Sequence, residues 1–212
     1  MPRAIYLLSP VKREDTIALP MIEFKLVVDK IDFSSCDTLM FTSKQAVKSA
    51  DILSAAWKNF PCLAIGAATA KEIKALGGKV EYQPSSFYAE ILSQDIIQKF
   101  KERRLLYLRP KEVSFDSKSF LAKADIVLQE QIIYETTCKA YSIEEKPVKD
   151  AIIIFTSPST IHCFFKHFVW DASYTAIVIG ESTKVHLPEY VQYEVSDTTL
   201  ISSCIEKAKK LT

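Results

Sequence analysis

Short apolar runs alternate along the chain with longer segments whose apolar residues recur every three or four positions. Runs of three to five apolar residues are typical of strands that are buried on both faces of a parallel sheet. The spacing at positions 88, 91, 92, 96 and 100, and again at 201, 204, 205, 208 and 211, predicts two amphipathic helices. The predicted strands occupy residues 4–8, 39–41, 63–65, 105–108, 152–155 and 176–179.

Two serines mark the expected starts of further helices. Ser43 and Ser157 each come just after a predicted strand, and serine is a preferred N-cap because its hydroxyl accepts a bond from a free backbone N–H. Pro158 follows Ser157 and suits the first helical turn. Strands that alternate with helices predict an α/β fold with parallel sheets.

Two parts of the chain resemble each other. Phe-Thr-Ser occurs at 41–43 and at 155–157, and each copy is followed later by an Ile-Gly-x-x-Thr segment, at 65–69 and 179–183. Equivalent positions in the two copies are 114 residues apart, a period too long for a solenoid. The sequence therefore predicts two similar parallel-sheet, flavodoxin-like α/β domains.

The remaining segments suggest how the two domains connect. The strand at 4–8 precedes the first copy and has no counterpart inside it, and extended runs at 23–29 and 132–141 flank that copy. The economical arrangement pairs these runs as a two-stranded β connector. We therefore expect a discontinuous domain of residues 1–28 with 143–212, an inserted domain of 36–131, and a connector of 29–35 with 132–142.

Composition and charge exclude several classes of protein. Of 212 residues, 48% are apolar and 25% charged, an ordinary globular balance, and the net charge of +1 argues against a nucleic-acid partner. No apolar run is long enough to span a membrane, and the run at 4–8 is too short for a signal peptide, so we expect a cytoplasmic protein. We also expect a monomer. Five scattered cysteines without a C-x-x-C pair are expected to be buried thiols, and the three histidines form no metal-binding pattern.

Candidate chemistry lies where the predicted strands end. In open α/β sheets, ligands bind outside the carboxyl ends of the strands, where helix N-termini offer free N–H groups to anions. Glycine is scarce, with four residues, and Gly66 and Gly180 at two such turns would permit a positive φ or the close approach of a ligand. Each turn alone is also typical of a plain helix cap. Because the turns occur in both domains, we expect one large polyanion between them; Walker and G-x-G-x-x-G loops are absent from the sequence.

Two single residues are further candidates. Tyr134, near the end of the connector strand, could donate a phenolic proton, or it could be an ordinary aromatic residue of that strand, as Tyr141 could be. Arg109, after the strand at 105–108, could pair with a ligand carboxylate or only cap the edge of the sheet.

The order of the motifs resembles that of the uroporphyrinogen-III synthase family. The resemblance implies a cyclising lyase of haem biosynthesis that closes the linear tetrapyrrole hydroxymethylbilane to uroporphyrinogen III, with inversion of ring D and loss of water. It implies the two domains and connector described above, with the N-terminal strand in the C-terminal domain, and neither a metal nor an organic cofactor. The motifs are Phe41-Thr-Ser-Lys-Gln-Ala-Val47, Ala64-Ile-Gly-Ala-Ala-Thr-Ala70, Leu106-Tyr-Leu-Arg-Pro110, Ile133-Tyr-Glu-Thr136, Phe155-Thr-Ser-Pro-Ser159 and Ile179-Gly-Glu-Ser-Thr183.

The resemblance also implies roles for individual residues. Tyr134 matches the family tyrosine that assists departure of the hydroxyl, and no metal ligands are expected. The chain departs from the family at Ser9-Pro10, where Arg-Pro is usual, and at Arg109-Pro110, where Arg-Gly is usual. The expected substrate-binding residues are Thr42, Ser43, Gly66, Ala67, Ala68, Thr69, Arg109, Ser157, Pro158, Ser159, Gly180, Glu181, Ser182 and Thr183.

Two other functions compete with this interpretation. The first is a two-domain binding module that closes on an anionic metabolite and catalyses nothing. The second is a flavodoxin-like enzyme acting on a phosphate or nucleotide, which the missing glycine-rich loop disfavours.

Overall fold

The computed structural model describes residues 2–86 and 88–212. In chain order its elements are β1 (Ile5–Leu7), β2 (Ile17–Ala18), β3 (Ile22–Leu26), β4 (Thr38–Phe41), α1 (Lys44–Leu53), β5 (Pro61–Ala64), α2 (Ala67–Ala75), β6 (Lys79–Tyr82), α3 (Ala89–Lys99), β7 (Leu105–Pro110), α4 (Ser117–Ala122), β8 (Leu128–Cys138), β9 (Ile152–Phe155), α5 (Pro158–His167), β10 (Thr175–Val178), α6 (Glu181–Lys184), β11 (Tyr193–Val195) and α7 (Ile201–Lys209). Short 3₁₀ turns occupy Ala55–Asn59 and Ile143–Glu145.

The chain divides into two compact units. Unit 1 contains the chain up to Glu23 together with Thr136–Thr212, and unit 2 is Phe24–Glu135. Both crossings between the units fall inside a strand, one in β3 and one in β8. The sequence predicted one domain of residues 1–28 with 143–212 and a second domain of residues 36–131. Residue 1 lies outside the described residues.

The predicted strands are confirmed, and those that the sequence did not predict lie at sheet edges. The six apolar runs correspond to β1, β4, β5, β7, β9 and β10. The strands without a predicted run, β2, β6 and β11, each lie at the edge of a sheet. Edge strands have one unpaired side. The strands β6 and β11 are partly exposed and lack a continuous apolar run, and β2, with both residues exposed, is only two residues long.

The parallel strands of the two units occupy equivalent places but are connected in a different order. Unit 1 has the order β11-β10-β9-β1-β2, and unit 2 has β6-β5-β4-β7-β8 with β3 added beside β8. The neighbouring strands of unit 1 pair in parallel, as do those of unit 2 from β6 to β8. The N-terminal strands β1 and β2 therefore stand in unit 1 where β7 and β8 stand in unit 2. Counted along each unit, the orders are 2-1-3-4-5 and 3-2-1-4-5, the two common doubly wound arrangements.

Strands β3 and β8 run antiparallel, and both carry the chain between the units. The Val27 N–H donates to the Ile133 carbonyl at 3.2 Å, and the Lys139 N–H donates to the Met21 carbonyl at 2.9 Å. Residue numbers rise along one strand as they fall along its partner, which is the pattern of an antiparallel pair.

Each sheet is covered by helices on both faces, which explains why its central strands are apolar throughout. In unit 2, Phe41 and Leu39 pack with residues of α1 and α2, while Met40 and Leu63 pack with α3 and α4. In unit 1 one face packs against α5 and the other against α7. Burial on both faces leaves only the strand ends for contacts with a ligand.

The expectation that all five cysteines are buried thiols is wrong for two of them. Cys138 at the end of β8 and Cys163 in α5 form a disulfide, with their Cα atoms 5.2 Å apart. Cys36, Cys62 and Cys204 are free and buried, as expected, and burial raises the pKa of Cys62 to about 12. The pair was missed because packing of β8 against α5 brings together two cysteines 25 residues apart in the chain.

Candidate functional site

Parallel strands bring polar residues that follow β4 to the same edge of the unit 2 sheet as the end of β7 and the middle of β8. Thr42 and Ser43 follow β4, whose neighbour is β7, and β7 pairs in turn with β8. Pro110 ends β7 and lies opposite Tyr134, the residue of β8 at which the pairing of these two strands ends. Residues that are far apart in the sequence therefore meet at this edge, as expected for the ligand-binding side of a doubly wound sheet.

Ser43 and Tyr134 form a hydroxyl pair. Ser43 is the N-cap of α1, as predicted, and its Oγ accepts the Ala46 N–H at 3.0 Å. The same Oγ lies 2.9 Å from the phenol oxygen of Tyr134, and either group can be the donor. Tyr134 is only 4% exposed, and burial raises its phenol pKa although the hydrogen bond with Ser43 lowers it. The phenol is therefore protonated at neutral pH and can serve as a donor.

A second hydroxyl pair lies beside the first. The Oγ1 of Thr42 is 2.6 Å from the phenol oxygen of Tyr107 in β7. Tyr107 is 2% exposed, and burial raises its pKa to about 12, while the bond with Thr42 and the charge of Arg109 act in the opposite direction. Tyr107 is not among the site residues predicted from the sequence. The available signal was a phenol within a strand predicted to be buried on both faces, since a buried hydroxyl needs a partner.

A cavity of about 230 Å³ lies at this edge, and we call it the unit 2 cavity. Its polar lining includes Thr42, Ser43 and Tyr107, whereas Tyr134 reaches it only through Ser43. Among the described lining residues none carries a positive charge, and Glu112 is the charged one. The remaining lining residues are Ile65, Tyr88, Ala89, Pro110, Val113, Ser114 and Phe115.

Arg109 turns towards its own strand and loop. Its Nη1 donates to the carbonyls of Pro110 and Lys111 at 2.9 and 3.0 Å. Its Nε lies 3.2 Å from Glu130 Oε1, an ion pair without hydrogen-bond geometry, so this buried Nε has no hydrogen-bond partner among the described residues. In this structure Arg109 holds the start of the segment that lines the unit 2 cavity, and its role as a substrate-binding residue stays a prediction.

The glycines that precede α2 and α6 are extended. Gly66 has φ −176° and Gly180 has φ 176°, so neither has the positive φ that was one of the two expectations for these turns. Gly77, with φ +87°, ends α2 instead. The other expectation for Gly66 and Gly180, that a glycine lets a ligand approach the backbone closely, stays a prediction.

The predicted residues of these turns divide into exposed and buried groups. Thr69 and Thr183 are 4% and 2% exposed, so their side chains lie inside the units. Ser157 caps α5 by accepting the Thr160 N–H at 3.3 Å, and the Thr160 hydroxyl accepts the Ser157 N–H. The predicted residues with exposed side chains at these turns are Ala67, Ala68, Pro158, Ser159, Glu181 and Ser182.

Unit 1 carries a pocket with a different character. This pocket, of about 490 Å³, is lined by the predicted residue Pro158 and by three basic side chains, His162, Lys166 and His186. Apolar residues of α5 and Pro188 complete its lining. The basic residues were missed because the histidines were considered only as metal ligands. Among the described residues, no cluster of three or more His, Cys, Asp or Glu side chains is arranged for a metal.

Comparison of the sequence with known families and proteins gives a single answer. The family model described as uroporphyrinogen-III synthase HemD matches residues 14–200. A uroporphyrinogen-III synthase from Synechococcus elongatus is 27% identical over 188 residues, an alignment that covers 77% of this chain and 71% of that protein. Within the described residues, no helix is long and apolar enough to cross a membrane.

Solved structures agree with the sequence matches. The uroporphyrinogen-III synthetase of Helicobacter pylori 26695 superposes with a TM-score of 0.84 at 26% identity, covering 99% of this chain and 100% of that one. A mutant uroporphyrinogen III synthase from the extremely thermophilic bacterium Thermus thermophilus reaches a TM-score of 0.57 at 13% identity over 98% of each chain, which supports the fold alone.

Proposed function

The chain belongs to the uroporphyrinogen-III synthase family, and we propose that the polar edge of unit 2 carries out the chemical steps of its reaction. It is an enzyme of tetrapyrrole biosynthesis, a cyclising lyase. The reaction converts hydroxymethylbilane to uroporphyrinogen III, with inversion of ring D and loss of one water molecule.

The first chemical step is loss of the terminal hydroxyl. The C–O bond breaks, the oxygen takes a proton from the Tyr134–Ser43 pair and leaves as water, and the N–H proton of the same pyrrole returns to the pair, which leaves a neutral azafulvene. The substituted carbon of the terminal ring then bonds the azafulvene carbon, giving a spiro intermediate. The older bond from this spiro carbon to its methylene breaks, the methylene bonds the free carbon on the other side of the ring nitrogen, and that carbon loses a proton to balance the one taken up by the azafulvene nitrogen.

The observation that carries this proposal is the hydrogen bond between Ser43 and Tyr134. The Ser43 oxygen accepts the Ala46 N–H and has a second lone pair that can accept the phenol proton of Tyr134. The Ser43 proton is then free to be donated into the unit 2 cavity, which Ser43 lines, so the pair can pass a proton from Tyr134 through Ser43 to a ligand. A positioned acid of this kind typically contributes about 10²–10⁴ in rate.

Most of the remaining rate and selectivity is expected to come from positioning. The free bilane closes on its own to the uninverted type I isomer, so the protein must hold one conformation and favour one direction of attack. Correct orientation of reacting groups contributes up to roughly 7–11 kcal/mol in favourable cases. Hydroxyls and helix N-termini at the turns after β4, β5, β9 and β10 suit this task, since they need no strongly acidic or basic side chain.

We assign carboxylate binding to the basic pocket of unit 1. The side chains of His162, Lys166 and His186 complement the acetate and propionate groups of the substrate, and apolar α5 residues complement its rings. The helix starts at Ser157 and Gly180, the predicted turns of this unit, add N–H donors. Lys166→Gln should therefore raise KM with little change in kcat, since it removes an interaction that does not change during the reaction.

Identification of the product isomer tests the function directly. Purified protein is supplied with enzymatically generated hydroxymethylbilane, and the product is oxidised and separated by chromatography. We expect the type III isomer. Recovery of type I alone, at the rate seen without protein, would refute the enzymatic assignment and favour the binding module.

The cytoplasmic location and the monomeric state stay predictions. Size-exclusion chromatography with light scattering tests the second, with 24.0 kDa expected for a monomer. The disulfide between Cys138 and Cys163 bears on the first, because reducing compartments keep most protein thiols free. Thiol counting on protein isolated from its own cells would show in which state it occurs there.

A further inference from the structure

The phenol of Tyr107 lies where this type of fold binds ligands, but the chemical steps proposed above do not involve it. In unit 2 the chain winds from β4 through β5 to β6 on one side, then returns to place β7 on the other side of β4. The gap between the carboxyl ends of β4 and β7 is therefore the topological switch point, where doubly wound sheets bind their ligands. Thr42 and Tyr107 bridge this gap.

The pair of hydroxyls keeps hydrogen-bonding capacity for a ligand. Two hydroxyl groups carry two protons, and the 2.6 Å contact between Thr42 and Tyr107 uses one of them. The second proton can be donated into the unit 2 cavity, which both residues line. Their oxygens also retain lone pairs that can accept the N–H of a pyrrole ring.

The cavity suits a single ring better than the carboxylates or the whole substrate. Its volume of about 230 Å³ is below the roughly 300–1,000 Å³ of sites that enclose a drug-sized ligand. Phe115, Val113 and Ile65 supply apolar walls, and the charged residue of the lining, Glu112, is an acid that disfavours a carboxylate.

Tyr107 is also held in one position. Its ring packs in the core of unit 2 with Met40 and Leu63, and its side chain is almost fully buried. The pKa of about 12 keeps the phenol protonated at neutral pH, which favours a fixed hydrogen-bonding role over proton transfer. A polar group of fixed orientation is what discrimination between two ring orientations needs.

We infer that Tyr107, together with Thr42, orients the terminal pyrrole ring in the unit 2 cavity and so determines which product isomer forms. This inference rests on the proposed function. The two closures differ in the carbon of the terminal ring that attacks, and therefore in how that ring is turned. Loss of the phenol hydroxyl removes a contact that distinguishes the two orientations.

The test separates a slow enzyme from an unselective one. Hydroxymethylbilane is converted in single-turnover reactions at rising enzyme concentration, and the type I fraction is measured by chromatography. A variant that is only slower loses substrate to spontaneous closure, so its type I fraction falls to the wild-type level as enzyme is added. A variant that misorients the ring makes type I while the substrate is bound, so its type I fraction reaches a plateau above the wild type.

We expect such a plateau for Tyr107→Phe and for Thr42→Val, raised roughly two- to tenfold because one hydrogen bond is lost. Thr42→Ser keeps the hydroxyl and should show the wild-type fraction. Tyr82→Phe is the matched control, because the phenol of Tyr82 accepts a hydrogen bond from Lys99 at 2.6 Å and does not line the unit 2 cavity. If Tyr107→Phe does not fold, Thr42→Val carries the test, since it leaves the core ring in place.

A type I fraction that falls to the wild-type level in both hydroxyl-deleting variants would overturn this inference. The proposed function would still stand in that case, because the wild-type protein would have produced type III. Failure of the wild-type protein to make type III would instead refute the proposed function.

Discussion

Substitution of Tyr134 by phenylalanine separates the chemical role of its phenol from its structural role. The change removes one oxygen and leaves the ring, which packs edge-on against Phe24 with the centroids 5.8 Å apart. The Ser43 oxygen keeps its bond to the Ala46 N–H. Tyr134→Phe therefore leaves no buried polar atom of Ser43 without a partner.

The expected cost in stability is small. Loss of a neutral hydrogen bond costs about 0.5–1.5 kcal/mol when the partner left behind stays satisfied. The expected cost in rate is larger. Cyclisation should slow at least tenfold, and by roughly 10²–10⁴ if the phenol supplies the proton to the leaving hydroxyl.

Ser43→Ala should cost more stability than Tyr134→Phe. It removes the N-cap of α1, worth about 1 kcal/mol, and it leaves the buried Tyr134 phenol without its hydrogen-bond partner, which costs about 1–3 kcal/mol more. Because Tyr134 reaches the unit 2 cavity only through Ser43, Ser43→Ala should also slow cyclisation although the phenol itself remains.

The assay measures the single-turnover rate of type III formation together with the urea midpoint of each variant. Tyr141→Phe is the control, since it removes a phenol that donates to the Pro20 carbonyl at 3.0 Å in unit 1. The control should lose similar stability and keep its rate. Equal rates of cyclisation for Tyr134→Phe and Tyr141→Phe would refute a chemical role for Tyr134, because its phenol would then be structural.

Two further predictions concern stability. Cys138→Ser, or a dithiol reductant, should destabilise unit 1 by about 3–4 kcal/mol, since the bond to Cys163 closes a loop of 25 residues. The control Cys204→Ser should keep the sensitivity of the wild-type protein to reductant. A urea midpoint that does not change on addition of reductant would contradict the disulfide. Gly78→Ala should cost about 1–3 kcal/mol, because the added Cβ would overlap the buried ring of Trp57. Wild-type stability of Gly78→Ala in urea unfolding would show that the Trp57 ring moves freely.

The central strands and the serine caps could be predicted because local pattern and burial agree there. Strands such as β4 and β9 are covered on both faces, so their sequences are apolar throughout. Ser43 and Ser157 cap their helices as their positions after a strand indicated. Edge strands such as β6, with alternating burial, gave no comparable signal.

The candidate site could be predicted only in part. The repeat indicated the strand ends and the resemblance indicated Tyr134. The contact of Tyr134 with Ser43 could not be predicted, because the two residues are 91 positions apart in the chain. Thr69 and Thr183 match in the two copies because both are buried at a helix start, so the match reflected packing as much as ligand binding. Tyr107 appeared in the sequence as one more residue of an apolar strand.

By itself, the sequence determined the family, the α/β class, the duplication and the strand ends at which polar residues gather. These follow from short sequence patterns, since burial on two faces, helix capping and each motif depend on residues that are close together in the chain. The sequence also predicted that the N-terminal strand belongs with residues 143–212. The tertiary structure alone decided the position of β1 and β2 in the strand order, the disulfide and the pairing of Thr42 with Tyr107. Each of these depends on contacts between segments that are distant in the chain. Strand order and packing bring those segments together, and neither can be predicted from a local sequence pattern.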